Sequence, residues 1–206
     1  RTGDAQGENM VSADRGQGHT LEGIAAALLI VTSVVFALQV TAVTPLTAST
    51  ASQHIETQYE RGSAGMLATA AERGLIRPTL LHWEESNATF HGAAVEGYYV
   101  GRAPPTAFGD ELAAAYDETG VAYNVEVTYV TTEGTLGERR LVYFGQPSDT
   151  AVTVHRTVPL YDTDRIRDSS GDRTGTSLDD AAYFAPDAYD GHLYNVVVVE
   201  VTIWRM

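Results

Sequence analysis

The run from Ile24 to Val43, IAAALLIVTSVVFALQVTAV, holds 20 residues without a charge, and its only polar members are Thr32, Ser33, Gln39 and Thr41. As an α-helix it would extend about 30 Å, the thickness of bilayer hydrocarbon. A soluble helix that is apolar on every side for this length is rare, and the run outlasts the roughly 7 to 15 apolar residues of a secretory signal peptide. The sequence therefore predicts a transmembrane helix. A core of useful size is left to the rest of the 206 residues, enough for one globular domain.

Helical periodicity continues past the apolar run. Ala51, Ile55, Tyr59, Gly62, Met66 and Ala70 recur at spacings of four, four, three, four and four, while most of the charged residues lie elsewhere. That is one face of an amphipathic helix. Gly74 suits the position just beyond the helix end, and Pro78 follows as a stop signal. Pro45, between the two parts, removes a helical hydrogen bond and predicts a kink. Upstream, Arg1 to Gly16 has few apolar residues and predicts an unordered hydrophilic leader. The organisation expected is a leader over 1–16, a long helix over 17–74 with its apolar membrane or filament-core segment at 24–43, and a β-rich head over 75–206.

Within the head, Tyr123, Val125, Val127 and Tyr129 alternate with polar residues, and 140–144, 151–160 and 194–204 also read as strands. Turn residues at Glu133-Gly134 and at Gln146 to Asp149 link the first three, which argues for an antiparallel sheet. Residues 90–100 form a weaker strand candidate, and 108–116 a short helix. The nearly all-apolar stretch at Val196 to Val199 predicts a central strand buried on both faces, covered by the amphipathic part of the long helix. Between Asp162 and Asp190 the chain reads as a long polar loop.

Charge narrows the functional classes. There are 27 acidic and 13 basic residues, a formal net charge of −14, and every basic residue is arginine. Such a surface repels nucleic acid. Acidic excess without lysine resembles the proteins of salt-loving archaea, whose self-repulsion is screened where the Debye length falls to about 3 Å. With no cysteine, neither disulfides nor thiolate metal sites are available.

The residues of catalysis do not converge. The six histidines are scattered and form no H-E-x-x-H. Ser63 stands in G-S-A-G rather than in a G-x-S-x-G elbow, so close packing accounts for it better. Asp162, Asp164, Asp168 and Asp172 suggest calcium, but Ile166 falls where an EF-hand loop needs an oxygen ligand. His82-Trp83-Glu84-Glu85 offers acid and base groups without a spacing that brings them together. No enzyme, metal or cofactor is expected. Asn87-Ala88-Thr89 is an N-x-T triplet, which makes Asn87 a candidate glycosylation site.

RGQGHTLEG, residues 15–23, runs directly into the apolar helix, and this junction resembles the processing region of type IV pilins and archaeal pilin-like proteins. The acidic, lysine-free composition makes it similar to haloarchaeal members. The resemblance implies a prepilin peptidase as partner, cutting near Arg15, Gly16 and Gln17. A cut after Gly16 leaves Glu22 sixth in the mature chain, and a cut after Gln17 leaves it fifth. Glu22 then matches the family's glutamate near the mature N-terminus, an assembly residue, and Pro45 its helix-breaking proline. A carboxylate at the edge of an apolar helix is costly unless paired, and the N-terminal amine of a neighbouring processed subunit is one partner for it.

The fold class expected is α+β: a long N-terminal helix, transmembrane then amphipathic, packed on a C-terminal antiparallel β-sheet head. The function expected is a structural subunit of an archaeal pilus-like filament or surface assembly, used in adhesion. It would self-associate, or join related pilin-like subunits, through its N-terminal helix. It would sit in the cell membrane before assembly and at the cell surface after it. The alternative is a single-pass, membrane-anchored extracytoplasmic binding module.

Overall fold

The computed structural model describes the backbone of residues 7–206 and the side chains of residues 22–38 and 56–206. Two compact units divide the chain, Arg1–His54 and Ile55–Met206. One helix, α1 (Gly7–Glu72), supplies all the described secondary structure of the first and the opening element of the second. It starts inside the segment expected to be an unordered leader. A helix already nucleated extends at little cost per residue, so polar residues upstream of a strong helix can join it.

Among the described residues no helix is long and apolar enough to cross a membrane. This corrects the transmembrane helix expected at 24–43. The described side chains run from Glu22 to Leu38, about 26 Å of helix, and include a carboxylate and two hydroxyls, short of the roughly 30 Å of hydrocarbon. Residues 39–43 of the expected span lie outside the described side chains.

The second unit is mostly β. After α1 come α2 (Ile76–Leu80), the short strands β1 (Trp83–Glu84), β2 (Thr89–Phe90) and β3 (Tyr99–Val100), and α3 (Ala107–Tyr116). The long strands β4 (Val121–Val130), β5 (Leu136–Tyr143) and β6 (Val152–Tyr161) follow, then a hairpin of β7 (Arg165–Arg167) and β8 (Arg173–Ser177), and finally β9 (Leu193–Arg205). The main sheet has the order β3-β5-β4-β9-β6.

Its pairings are antiparallel except that β3 lies parallel to β5. The sheet is therefore mixed, which corrects the purely antiparallel head. Nor is β6 a neighbour of β5: β9 inserts between β4 and β6. The weak strand expected over 90–100 reduces to its two ends, β2 and β3. Gly92 and Gly97, both at positive φ, turn the chain between them.

β9 is central but not buried on both faces. Val197, Val199, Val201 and Ile203 are at most 1% exposed, while Val196, Val198, Glu200 and Thr202 on the other face are partly exposed. The alternation is that of a sheet covered on one side. The C-terminal turns of α1 join the same core through Leu67 and Ala70, with Tyr59 and Met66 packed at its margin.

Polar groups fix the layers. Tyr116 Oη donates to the buried Ser63 Oγ at 2.7 Å, tying α3 to α1. Asn195 Nδ2 donates to the Val130 and Pro186 carbonyls, and its Oδ1 accepts from Val130 N. Thr106 caps α3 by accepting from Gly109 N at 3.3 Å. A Cβ at Gly109 would lie 1.8 Å from the Pro104 carbonyl oxygen, so only glycine fits at this turn.

Candidate functional site

The most unusual surface of the first unit is the apolar stretch of α1. Ile24, Leu28, Leu29, Ile30, Val31, Val34, Val35, Phe36 and Leu38 are between 46% and 69% exposed. Their numbering places them around the whole helix circumference, so no rotation of the helix could hide them all against one partner surface. The hydroxyls within it bond back to the helix backbone: Thr32 Oγ1 donates to the Leu28 carbonyl at 2.6 Å and Ser33 Oγ to the Leu29 carbonyl at 2.7 Å. These back-bonds satisfy the hydroxyls locally and leave the helix exterior apolar. Glu22 is exposed at the head of this stretch. Arg15, Gly16, Gln17 and Pro45 fall on parts of α1 whose side chains lie outside the described residues; the helix itself continues through Pro45.

In the second unit the sequence candidates separate into structural parts. Trp83 is buried, stacks edge-on with Phe90 at 5.2 Å and donates Nε1–H to the Ala182 carbonyl at 2.8 Å. Glu85 Oε1 accepts from Ala182 N at 2.9 Å, pinning the same segment. His82 is 2% exposed, neither ring nitrogen has a hydrogen-bond partner among the described residues, and its ring lies 5.0 Å from that of His91. Burial, followed by the nearby His91, lowers its pKa below the ordinary 6.5. Asn87 is exposed at the tip of the β1–β2 turn, whereas Thr89 Oγ1 of the same triplet is buried.

The acidic segment at 162–172 enters and turns the β7–β8 hairpin. Asp164 Oδ2 accepts from Tyr161 N, and Asp168 Oδ1 accepts from Ser170 N and Asp172 N, so these carboxylates shape turns. Among the described residues no three or more metal-ligating side chains gather. Ile166, which spoils the EF-hand pattern, is buried in the core.

That hairpin forms one wall of a groove that sequence reasoning missed. An open groove of about 440 Å³ runs between α2, β6 and the β7–β8 hairpin, and Arg77, Arg165, Arg167 and Arg173 line it with Asp164 as the sole carboxylate. Buried Ile76, Leu81 and Val158 form its apolar floor. Arg77 lies over the Tyr161 ring at 5.1 Å and 3.6 Å from Asp164. A signal for half of it was present: with Ile166 buried, the period of two puts Arg165 and Arg167 on the opposite, outward face of β7. Arg77 and Arg173 reach the groove from separate elements, which spacing along the chain does not show.

Residues 15–203 match a family of unknown function, DUF7288. No curated protein and no solved structure matches the chain.

Proposed function

The chain belongs to the DUF7288 family, whose function is unknown, and we propose that it is a structural subunit of an archaeal, type IV pilus-like filament or pilin-like surface assembly. Self-association runs through the apolar stretch of α1, and the β-rich unit forms the outer head. The observation that carries this reading is the exposure of nine large apolar side chains around α1 between Ile24 and Leu38.

Covering half-exposed chains of this size is worth about 1 kcal/mol each, on the order of 10 kcal/mol together. That is the scale needed to offset the roughly 4 to 15 kcal/mol of freedom lost on association. Copies of the same helix are suited to cover one another, because each offers apolar surface on all sides and satisfies its own hydroxyls with backbone carbonyls. Removal of a leader near Arg15, Gly16 and Gln17 by a prepilin peptidase would bring the new amine close to Glu22, whose carboxylate then sets the register between neighbours.

Electron microscopy and pelleting of surface material from native cells test this. Leu29→Asp or Phe36→Asp should abolish assembly while the head still folds. Glu22→Ala and Glu22→Gln should each lower the assembled fraction about tenfold, equivalent to about 1.4 kcal/mol per contact. Normal filaments from both Glu22 substitutions would remove its register role, and normal filaments from the two aspartate variants would overturn the reading. N-terminal sequencing of assembled protein should begin at Gln17 or Gly18; an intact leader there would count against processing.

A further inference from the structure

We infer that the arginine groove of the head receives an acidic segment from a second copy of this chain. The inference rests on the assembly proposed above and adds a contact between heads to the contact between helices.

The first ground is charge. Four of the chain's 13 basic residues converge on one groove in a protein of net charge −14. Asp164 answers only Arg77, at 3.6 Å, and commits its other oxygen to Tyr161 N. Arg165 donates to the Gly175 carbonyl and Arg167 to the Gly171 carbonyl, neutral acceptors, and neither makes an ion pair among the described residues.

The second ground is unmet bonding. Arg167 Nε is buried without a hydrogen-bond partner among the described residues, a state that is unfavourable until an acceptor arrives. Arg173 is exposed and its guanidinium makes no hydrogen bond or ion pair among the described residues. Guanidinium forks bind carboxylates through paired hydrogen bonds, which keep their directionality when salt screens the bare charges.

The third ground is the source of carboxylates. Clusters such as the exposed pair Asp117-Glu118 give every copy acidic segments to offer, and the groove's apolar floor and volume suit several side chains rather than one small ion. Within an assembly, the neighbouring head presents these segments at high effective concentration.

The test uses the full chain in its assembled form, with a photoreactive benzoylphenylalanine in place of Thr163 on the groove wall. Illumination should give a covalent dimer whose partner peptide contains adjacent Asp or Glu residues. Arg173→Glu, which breaks no bond of the fold, should lower the dimer yield about tenfold, and Arg173→Lys should lower it less. Excess polyglutamate should compete, and inorganic phosphate at the same charge concentration should compete weakly. No dimer within intact assemblies, a partner peptide without clustered acids, a yield indifferent to Arg173→Glu, or displacement by phosphate alone would each overturn the inference. Such failures in assemblies that still form leave the helix-based reading standing; absence of any assembly removes both.

Discussion

At the scale of single residues, His82 sets a pH limit on the head. Its ring is buried against His91, near Asp168 and Arg167, and burial holds its pKa below 6.5. As pH falls through 6.5 the unfolded chain takes up a proton that the folded chain refuses, so folding stability drops with falling pH until the lowered folded-state pKa is passed. Urea denaturation at pH 7.5 and pH 5.5 should show a lower midpoint at the acidic value, and His82→Leu should flatten the difference. An equal loss in His82→Leu would assign the effect to other groups. The sequence displayed His82 near two glutamates but could not say that its imidazole would be buried against His91, because His82 is no more apolar by type than the exposed histidines. Burial of a titratable group is decided by tertiary packing, and no local pattern records it.

At the scale of elements, the last turns of α1 belong to the head's core through Leu67, which is 1% exposed. Leu67→Ala should cost about 2 to 5 kcal/mol of head stability, read as a lower urea midpoint with an unchanged slope. A change under about 0.5 kcal/mol would mean that this part of α1 merely lies on the surface. Elements with a strong period were legible: the alternation of β4, the short helix at Phe108 to Tyr116 and part of the stripe from Tyr59 to Ala70 can be read from the chain, although Gly62 of that stripe is exposed and Leu67, outside it, is buried. The two-residue β3 could not be, since a pair of residues has no period, and its parallel alignment with β5 follows from where α3 and β4 carry the chain. The β7–β8 hairpin hid within a polar segment for a related reason. Its strands are short and its outward faces carry arginine, threonine and serine, so only Ile166, with Leu178 just beyond β8, marks a buried side.

At the scale of the whole molecule, charge acts on every part at once. A net charge of −14 on 206 residues opposes compaction in dilute buffer. Raising salt from about 0.1 M to about 1 M shortens the Debye length from about 10 Å to about 3 Å, and the thermal midpoint should rise monotonically across that range. A midpoint that is flat or falls would argue against adaptation to strong salt. The sheet order carries a different consequence. β9 is hydrogen-bonded to both β4 and β6 and joins them, yet it is the last strand in chain order. While the ribosome is still making residues 121–192, β4 has only β5 to pair with and β6 has no neighbour in the main sheet. The head therefore gains its cooperative structure only after Leu193 to Arg205 have emerged, and translation stalled anywhere upstream leaves a chain that proteases can still cut.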